Sequence, residues 1–258
     1  MSNNLFSVEK YLKRIGYNGK PAINFETLSE LQYRHFLSVP YENLDILNRV
    51  PLSLDIDDLF EKIVIRNRGG YCFELNTLFN HLLKETGFKT TTYISRFLLG
   101  EKETPMRRHR VMKVDIDGES YLADVGVGSE VPVRPLKLQD GYEEKVRRIL
   151  YKLSKEPFYG WVLSYYNNRD DKNEWDKIYS FTEEEQLEVD FVQPDFYCQY
   201  HPDSIFRTQR MVAVRTETGK NTIDGNLLKI FSKGTIASHI FEDSELNDIL
   251  KKYFKIDI

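Results

Sequence analysis

Arg68-Gly69-Gly70-Tyr71-Cys72-Phe73-Glu74, continued by Leu75, Leu78, Phe79, Leu82 and Leu83, is the stretch on which the reading of this chain turns. Two glycines followed by apolar residues at helical spacing describe a turn that feeds directly into an amphipathic helix. Cys72 then falls in the first helical turn. Unpaired backbone N–H groups and the positive end of the helix dipole favour a thiolate there over a thiol. The glycines allow close backbone approach and leave room above the sulfur for a substrate carbonyl. The plainer alternative is a small cysteine buried at a helix start for packing alone.

A nucleophile needs a base, and among the five histidines the sequence singles out His109. Asp117-Gly118 is a two-residue hairpin signal between a strand over Arg107 to Ile116 and a second strand over Glu119 to Gly126. That turn sets the register: Val111 faces Asp124 and His109 faces Gly126. His109 and Asp124 then lie on one face as diagonal neighbours, with α-carbons about 7 to 8 Å apart. Met112, Val114, Ile116, Tyr121, Ala123 and Val125 fall on the opposite, apolar face, and a slip of one residue would mix the two. The pattern therefore predicts an imidazole oriented by a carboxylate, which together with a helix-start thiol makes an activated nucleophile. A structural hydrogen bond on a half-exposed sheet is the competing reading of the His-Asp pair.

Working outward, the first third reads helical. Val8, Tyr11, Leu12 and Ile15 share a face behind a Ser7 cap and before Gly16. Thr27 and Glu30 form a capping-box pattern, and Ile56, Leu59, Phe60 and Ile63 repeat the spacing behind Asp55. From Thr90 the period changes to that of strands: Thr90 to Leu99, Trp161 to Tyr166, Trp175 to Phe181, Leu187 to Val192 and Met211 to Arg215. Asn167-Asn168 and Gly219-Lys220-Asn221 read as turns, and Glu143 to Leu153 fits helix or strand equally. Leu246, Ile249, Leu250 and Tyr253 make a closing helix behind Asp243-Ser244.

Composition narrows the function classes. With 258 residues, 41% hydrophobic and 29% charged, the chain can bury a sizeable core. A formal net charge of -4, with Lys and Arg dispersed, gives no footprint for nucleic acid. No apolar run reaches the roughly 18 residues that span a bilayer, and Met1-Ser2-Asn3-Asn4 carries no signal pattern, so a cytoplasmic protein without a membrane partner is expected. Cys72 and Cys198 form no disulfide framework, and Cys198 reads as a packing residue. His35 and His81 fall on helices, His201 and His239 in turns or loops, and no metal-ligand spacing emerges. Gly126-Val127-Gly128 could let a cofactor chain pass close to the backbone. The 13% of aromatic residues suit a core and a pocket for flat ligands alike.

These residues resemble the arylamine N-acetyltransferase family. The likeness runs through Pro40-Tyr41-Glu42-Asn43-Leu44, the Arg68 to Glu74 stretch, His109, Asp124-Val125-Gly126, Trp175 to Phe181, Asp190-Phe191 and His201 to Phe206, in that order. The resemblance implies an α+β fold with a cysteine-protease-like core: a helical bundle (residues 1–88) carrying the nucleophile, a central β-barrel (89–188) carrying His and Asp, and a C-terminal α/β lid (189–258). It implies a catalytic triad of Cys72, His109 and Asp124. Acetyl-coenzyme A would be the cosubstrate, with arylamines, arylhydrazines and hydrazides as acceptors through an acetyl-cysteine and no metal. Gly126 and Gly128 are the expected cofactor contacts. Val127, where the family usually has an aromatic, and the segment Asp140 to Leu153 depart from the pattern and bear on substrate choice. A papain-like or transglutaminase-like hydrolase would share the helix-start cysteine. His109, however, lies within about 40 residues of Cys72, whereas papain-type chains separate the two by roughly 130 to 150. A catalytically silent binder of aromatic ligands is the third reading.

Overall fold

The computed structural model describes residues 5–128, 130–168 and 172–257. The helical spacing of the first third becomes α1 (Val8–Arg14), α2 (Phe25–Ser38), the single turn α3 (Leu44–Leu47) and α4 (Ile56–Phe60), which runs on through a π-helical turn at Glu61–Ile65. Ser7 caps α1 by accepting from the Lys10 N–H. The Thr27-Glu30 pattern misplaces the start of α2. Asn24 is the cap, and its side chain accepts from the Thr27 N–H, so Thr27 already sits inside the first turn. Helix α5 (Cys72–Glu85) is the central one, buried along almost all of its length.

Strands β2 (Lys89–Phe97), β3 (His109–Ile116), β4 (Glu119–Ala123), β5 (Leu136–Lys137), β6 (Tyr142–Val146), β7 (Ile149–Glu156), β8 (Gly160–Asn167) and β9 (Glu174–Phe181) form one antiparallel, barrel-like sheet. Its order is β5-β4-β3-β2-β9-β8-β7-β6. The predicted register holds from Met112, which pairs with Ala123, to Ile116, which pairs with Glu119, across a turn in which Asp117 and Gly118 both have positive φ; the ladder ends there, so Val111–Asp124 and His109–Gly126 are not strand pairs. Apolar side chains from α1, α2, α4 and α5 pack with those of this sheet in one continuous core.

A second antiparallel sheet joins β10 (Met211–Arg215), β11 (Gly219–Asp224), β12 (Leu227–Ser232) and β13 (Thr235–Ile240) to the two-residue strand β1 (Tyr41–Glu42). It packs on α7 (Leu246–Ile249) and the π-helical turn Leu250–Phe254 over its own apolar cluster. The chain is therefore α+β.

Further local readings change, and one left open is decided. Leu187 to Val192 is not a strand: the Asp190 carboxylate accepts from the Leu187 N–H at 2.7 Å, closing a 3-10 turn (Glu188–Phe191) that leads into α6 (Val192–Tyr200). Gly219-Lys220-Asn221 opens β11 rather than forming a turn, and His239 lies on β13 rather than in a loop. Glu143 to Leu153 is a hairpin, β6 to β7, turning at Arg147 with φ +56.

Candidate active site

Helix α5 begins at Cys72, as the glycine turn predicts. The Glu74 carboxylate fixes that start: Oε2 accepts from the Tyr71 N–H at 3.1 Å and Oε1 from Lys62 Nζ at 2.8 Å. Lys62 also meets Asp45 at 2.7 Å, while Arg68 bonds Glu42 and Asp45 at 2.8 and 2.9 Å. Five charges thus clamp the approach to the cysteine. Burial, the largest influence on Glu74, raises its carboxyl to about 7 against the pull of Lys62.

The two glycines permit the close approach expected of them, and its partners are protein. A Cβ on Gly69 would meet the Pro40 carbonyl oxygen at 2.1 Å, and one on Gly70 would meet Glu74 at 3.0 Å. Main-chain bonds from Gly70 N to Pro40 O (3.3 Å) and from Glu42 N to Gly70 O (2.9 Å) lace the turn to β1.

His109 opens β3, and its Nε2 lies 2.8 Å from Asp124 Oδ2, both side chains being buried. Asp124 sits just beyond β4, where the chain leaves the sheet. Its Oδ1 accepts from Asn76 Nδ2 and from the Gly126 N–H, each at 2.8 Å. Tyr179 stands beside the imidazole, with ring centroids 5.3 Å apart. With the carboxylate taking the Nε2 proton, Nδ1 is left as the acceptor.

Asn76 joins the two halves. It lies one helical turn past Cys72, donates to Arg110 O at 2.6 Å as well as to Asp124, and accepts from the Val125 N–H at 2.9 Å. A single amide therefore fixes the nucleophile's helix to the loop carrying the carboxylate. Cys72 Sγ lies 3.8 Å from the carbonyl oxygen of Arg108, the residue before His109. Cys72 and His109 both line a cavity of about 410 Å³, together with Tyr41, Phe97, Phe206 and residues of β10 and β11.

Gly126 and Gly128 line the same cavity. A Cβ on Gly126 would stand 2.9 Å from the Cys72 Cα, and one on Gly128 would stand 2.7 Å from the Ala213 Cβ. Close approach to neighbouring protein is what requires glycine at these positions.

The helix start does not by itself give a thiolate. Burial pushes the Cys72 thiol well up, and Cys198, Asp124 and Asp195 push the same way, outweighing the Phe73 N–H that favours the anion. The Phe73 N–H at the helix start acts in the expected direction but loses to desolvation, so an anionic sulfur here needs a cationic imidazole as partner. Cys198 is buried in the apolar cluster that also holds Cys72, Tyr71, Phe73 and Phe191. Sequence reasoning missed Asn76, Tyr179 and the Glu42–Lys62–Glu74 clamp. The position of Asn76, four residues after the cysteine and so on the same helix face, was the available signal.

The profile of the N-acetyltransferase family matches residues 24–258. The chain is similar to the arylamine N-acetyltransferase of Escherichia coli, with 31% identity over 94% of this chain and 84% of that one. The similarity to that of Mycolicibacterium smegmatis is 32%, over 96% and 91%. The chain belongs to the arylamine N-acetyltransferase family.

Solved structures of arylamine N-acetyltransferases agree in fold. That from Salmonella typhimurium superposes with a TM-score of 0.90 at 29% identity, covering 96% of this chain and 90% of that one. The Mycobacterium marinum enzyme in complex with CoA gives 0.89 at 30% identity, covering 97% and 93%. Among the described residues no cluster of His, Cys, Asp and Glu is arranged to hold a metal, and no helix is long and apolar enough to cross a membrane.

Proposed function

We propose that this acetyltransferase works by a ping-pong mechanism in which Cys72 carries the acetyl group from acetyl-coenzyme A to an arylamine, arylhydrazine or hydrazide. The observation that carries the proposal is the buried His109–Asp124 pair opening on the same cavity as the Cys72 sulfur. In the first half-reaction His109 Nδ1 takes the thiol proton, and the sulfur attacks the thioester carbonyl. Coenzyme A leaves with that proton, and one thioester replaces another. In the second, the acceptor nitrogen attacks the acetyl-cysteine, its proton passes to His109 and then to the departing Cys72 sulfur, and an amide is released. Asp124 keeps the imidazole in the tautomer both steps need. The backbone N–H groups at the start of α5 are the candidates for stabilising the oxyanion.

The aromatic lining of the cavity by Tyr41, Phe97 and Phe206 supports a flat acceptor. The contribution of β10 and β11 to that lining supports reading residues 189–258 as a lid over the nucleophile of 1–88 and the His-Asp pair of 89–188, on a cysteine-protease-like core. Gly126 and Gly128 are proposed to border the path of coenzyme A, and the setting is proposed to be the cytoplasm. The test is an intact mass after incubation with acetyl-coenzyme A alone. One acetyl group should appear and should be absent from Cys72→Ala. No adduct, or one that survives that substitution, rejects the mechanism.

A further inference from the structure

Strand β13 is the free edge of the second sheet, since it pairs only with β12. The hairpin between them turns on Lys233-Gly234, both with positive φ, and pairs Ser232 with Thr235, Ile230 with Ala237 and Leu228 with His239. In a two-residue hairpin the pair flanking the turn is hydrogen-bonded, and such pairs alternate from there. Thr235, Ala237 and His239 therefore direct their main-chain groups to β12. Ile236, Ser238 and Ile240 direct theirs outward, and among the described residues no main-chain hydrogen bond engages them.

Edges of this kind are normally blunted by charge, proline or a bulge. Over Thr235–Ile240 there is none: the sequence is Thr-Ile-Ala-Ser-His-Ile and the pairing with β12 is regular. Ile236 and Ile240 are 64% and 80% exposed, on one face and at the two ends of the outward-facing set.

We propose that β13 is a self-association edge, pairing antiparallel with β13 of a second copy of this chain about a two-fold axis through Ser238. Three independent requirements meet in that one register. Parity is satisfied, because each residue with outward main-chain groups faces another such residue. Side chains match, because Ile236 of one copy stands beside Ile240 of the other, twice over. Charge matches as well. The turn end carries Lys233 with the Arg148 guanidinium 3.6 Å from where a Gly234 Cβ would be, and it meets the end where Glu242 follows the strand together with Asp243, which Arg210 already holds at 2.9 Å. An isologous interface requires this self-complementarity. Strand β13 is two strands removed from β11 and the axis lies half a spacing beyond it, about 12 Å from β11 at the usual strand spacing. The cavity that holds Cys72 therefore stays open in the dimer.

A single strand pair buries little area, so dissociation in the micromolar range is expected. Sedimentation velocity from about 1 to 200 µM should show a monomer–dimer equilibrium, and raising salt should weaken it. Ser238→Pro deletes an N–H that β12 does not use, and Ser238→Lys sets like charges face to face on the axis. Each should weaken the dimer at least tenfold while acetyl transfer by the monomer is unchanged. Ser238→Cys should cross-link to its own copy on mild oxidation, because directly opposed residues of a hydrogen-bonded pair lie about 5.5 Å apart at Cα. A parent protein that stays monomeric across the range overturns the proposal. So does a dimer unmoved by both Ser238→Pro and Ser238→Lys, or a Ser238→Cys protein that fails to cross-link.

Discussion

Replacing Asn76 with alanine removes an amide that bonds both halves of the site. The N–H of the buried Val125 loses its acceptor, and Asp124 loses one of the donors to its buried oxygen. An orphaned buried N–H costs about 1 to 3 kcal/mol, and a hydrogen bond to a charged group contributes about 1.5 to 3 kcal/mol. The sum predicts a loss of roughly 3 to 5 kcal/mol, a large share of the 5 to 15 typical of a folded domain. With a urea slope near 2 to 3 kcal/mol per M, the unfolding midpoint should fall by about 1 to 2.5 M. Chemistry should suffer separately. The freed carboxylate lets the imidazole wander, so acetylation of Cys72, measured by stopped-flow release of coenzyme A well below the midpoint, should slow about 10- to 100-fold. An Asn76→Ala protein that unfolds within about 1 kcal/mol of the parent and acetylates at the parental rate would falsify the argument that this amide ties α5 to the Asp124 loop.

Gly126→Ala should lose about 1 to 3 kcal/mol by overpacking, because the added carbon meets the Cys72 backbone, which cannot swing aside as a side chain would; a thermal melt superimposable on the parent's contradicts this. Since burial holds the Cys72 thiol high, alkylation by iodoacetamide at pH 7 should fall about 100-fold in His109→Ala and recover only as pH rises well past 9. Equal rates in the two proteins would mean the sulfur needs no imidazole. Glu74 binds its proton more tightly folded, at about 7, than its usual 4.5. Between those values the unfolded chain ionises first, so this group's contribution to stability declines as pH rises from about 4.5 to 7, by up to about 3 kcal/mol. Urea unfolding at pH 5 and 7 should show that decline diminished in Glu74→Gln, and an identical pH dependence in both proteins refutes the assignment. Arg68→Ala strips the buried Glu42 of its cation and should cost about 3 to 5 kcal/mol; a loss under 1 kcal/mol would show Glu42 satisfied without it.

What was legible in the sequence was whatever is enforced locally. The Asp117-Gly118 turn has one preferred geometry and the β3–β4 faces differ sharply in polarity, so register and the His109–Asp124 approach followed from twenty residues. The glycine turn and the apolar spacing after it likewise located the start of α5. The misreadings fall where a distant partner decides. Leu187 to Val192 alternates like a strand, yet Phe191 is buried against Phe73 and under the Arg110 guanidinium, and those contacts select the turn. Strand β1 is two residues long and exists only because β10 is there to pair with it. The close backbone approach expected at Gly69-Gly70 is present, but its partners, Pro40 and Glu74, are ones no local pattern could place. Cys72's thiol rises rather than falls because burial, a property of the whole fold, outweighs the dipole of its own helix.

The lacing of Gly70 to β1, and of β1 to β10, has a consequence for how the protein is made. Asn43 Nδ2 donates to the carbonyl of Phe206, 163 positions away, and Tyr41 pairs with Ala213. Contacts of such sequence separation form late and slowly. A chain emerging from the ribosome completes the segments around Cys72 long before the strand that braces them exists. The thiol's seat should therefore be among the last parts to gain protection in a pulse-labelling time course, with the sulfur open to alkylation until β10 has formed and burial raises its thiol.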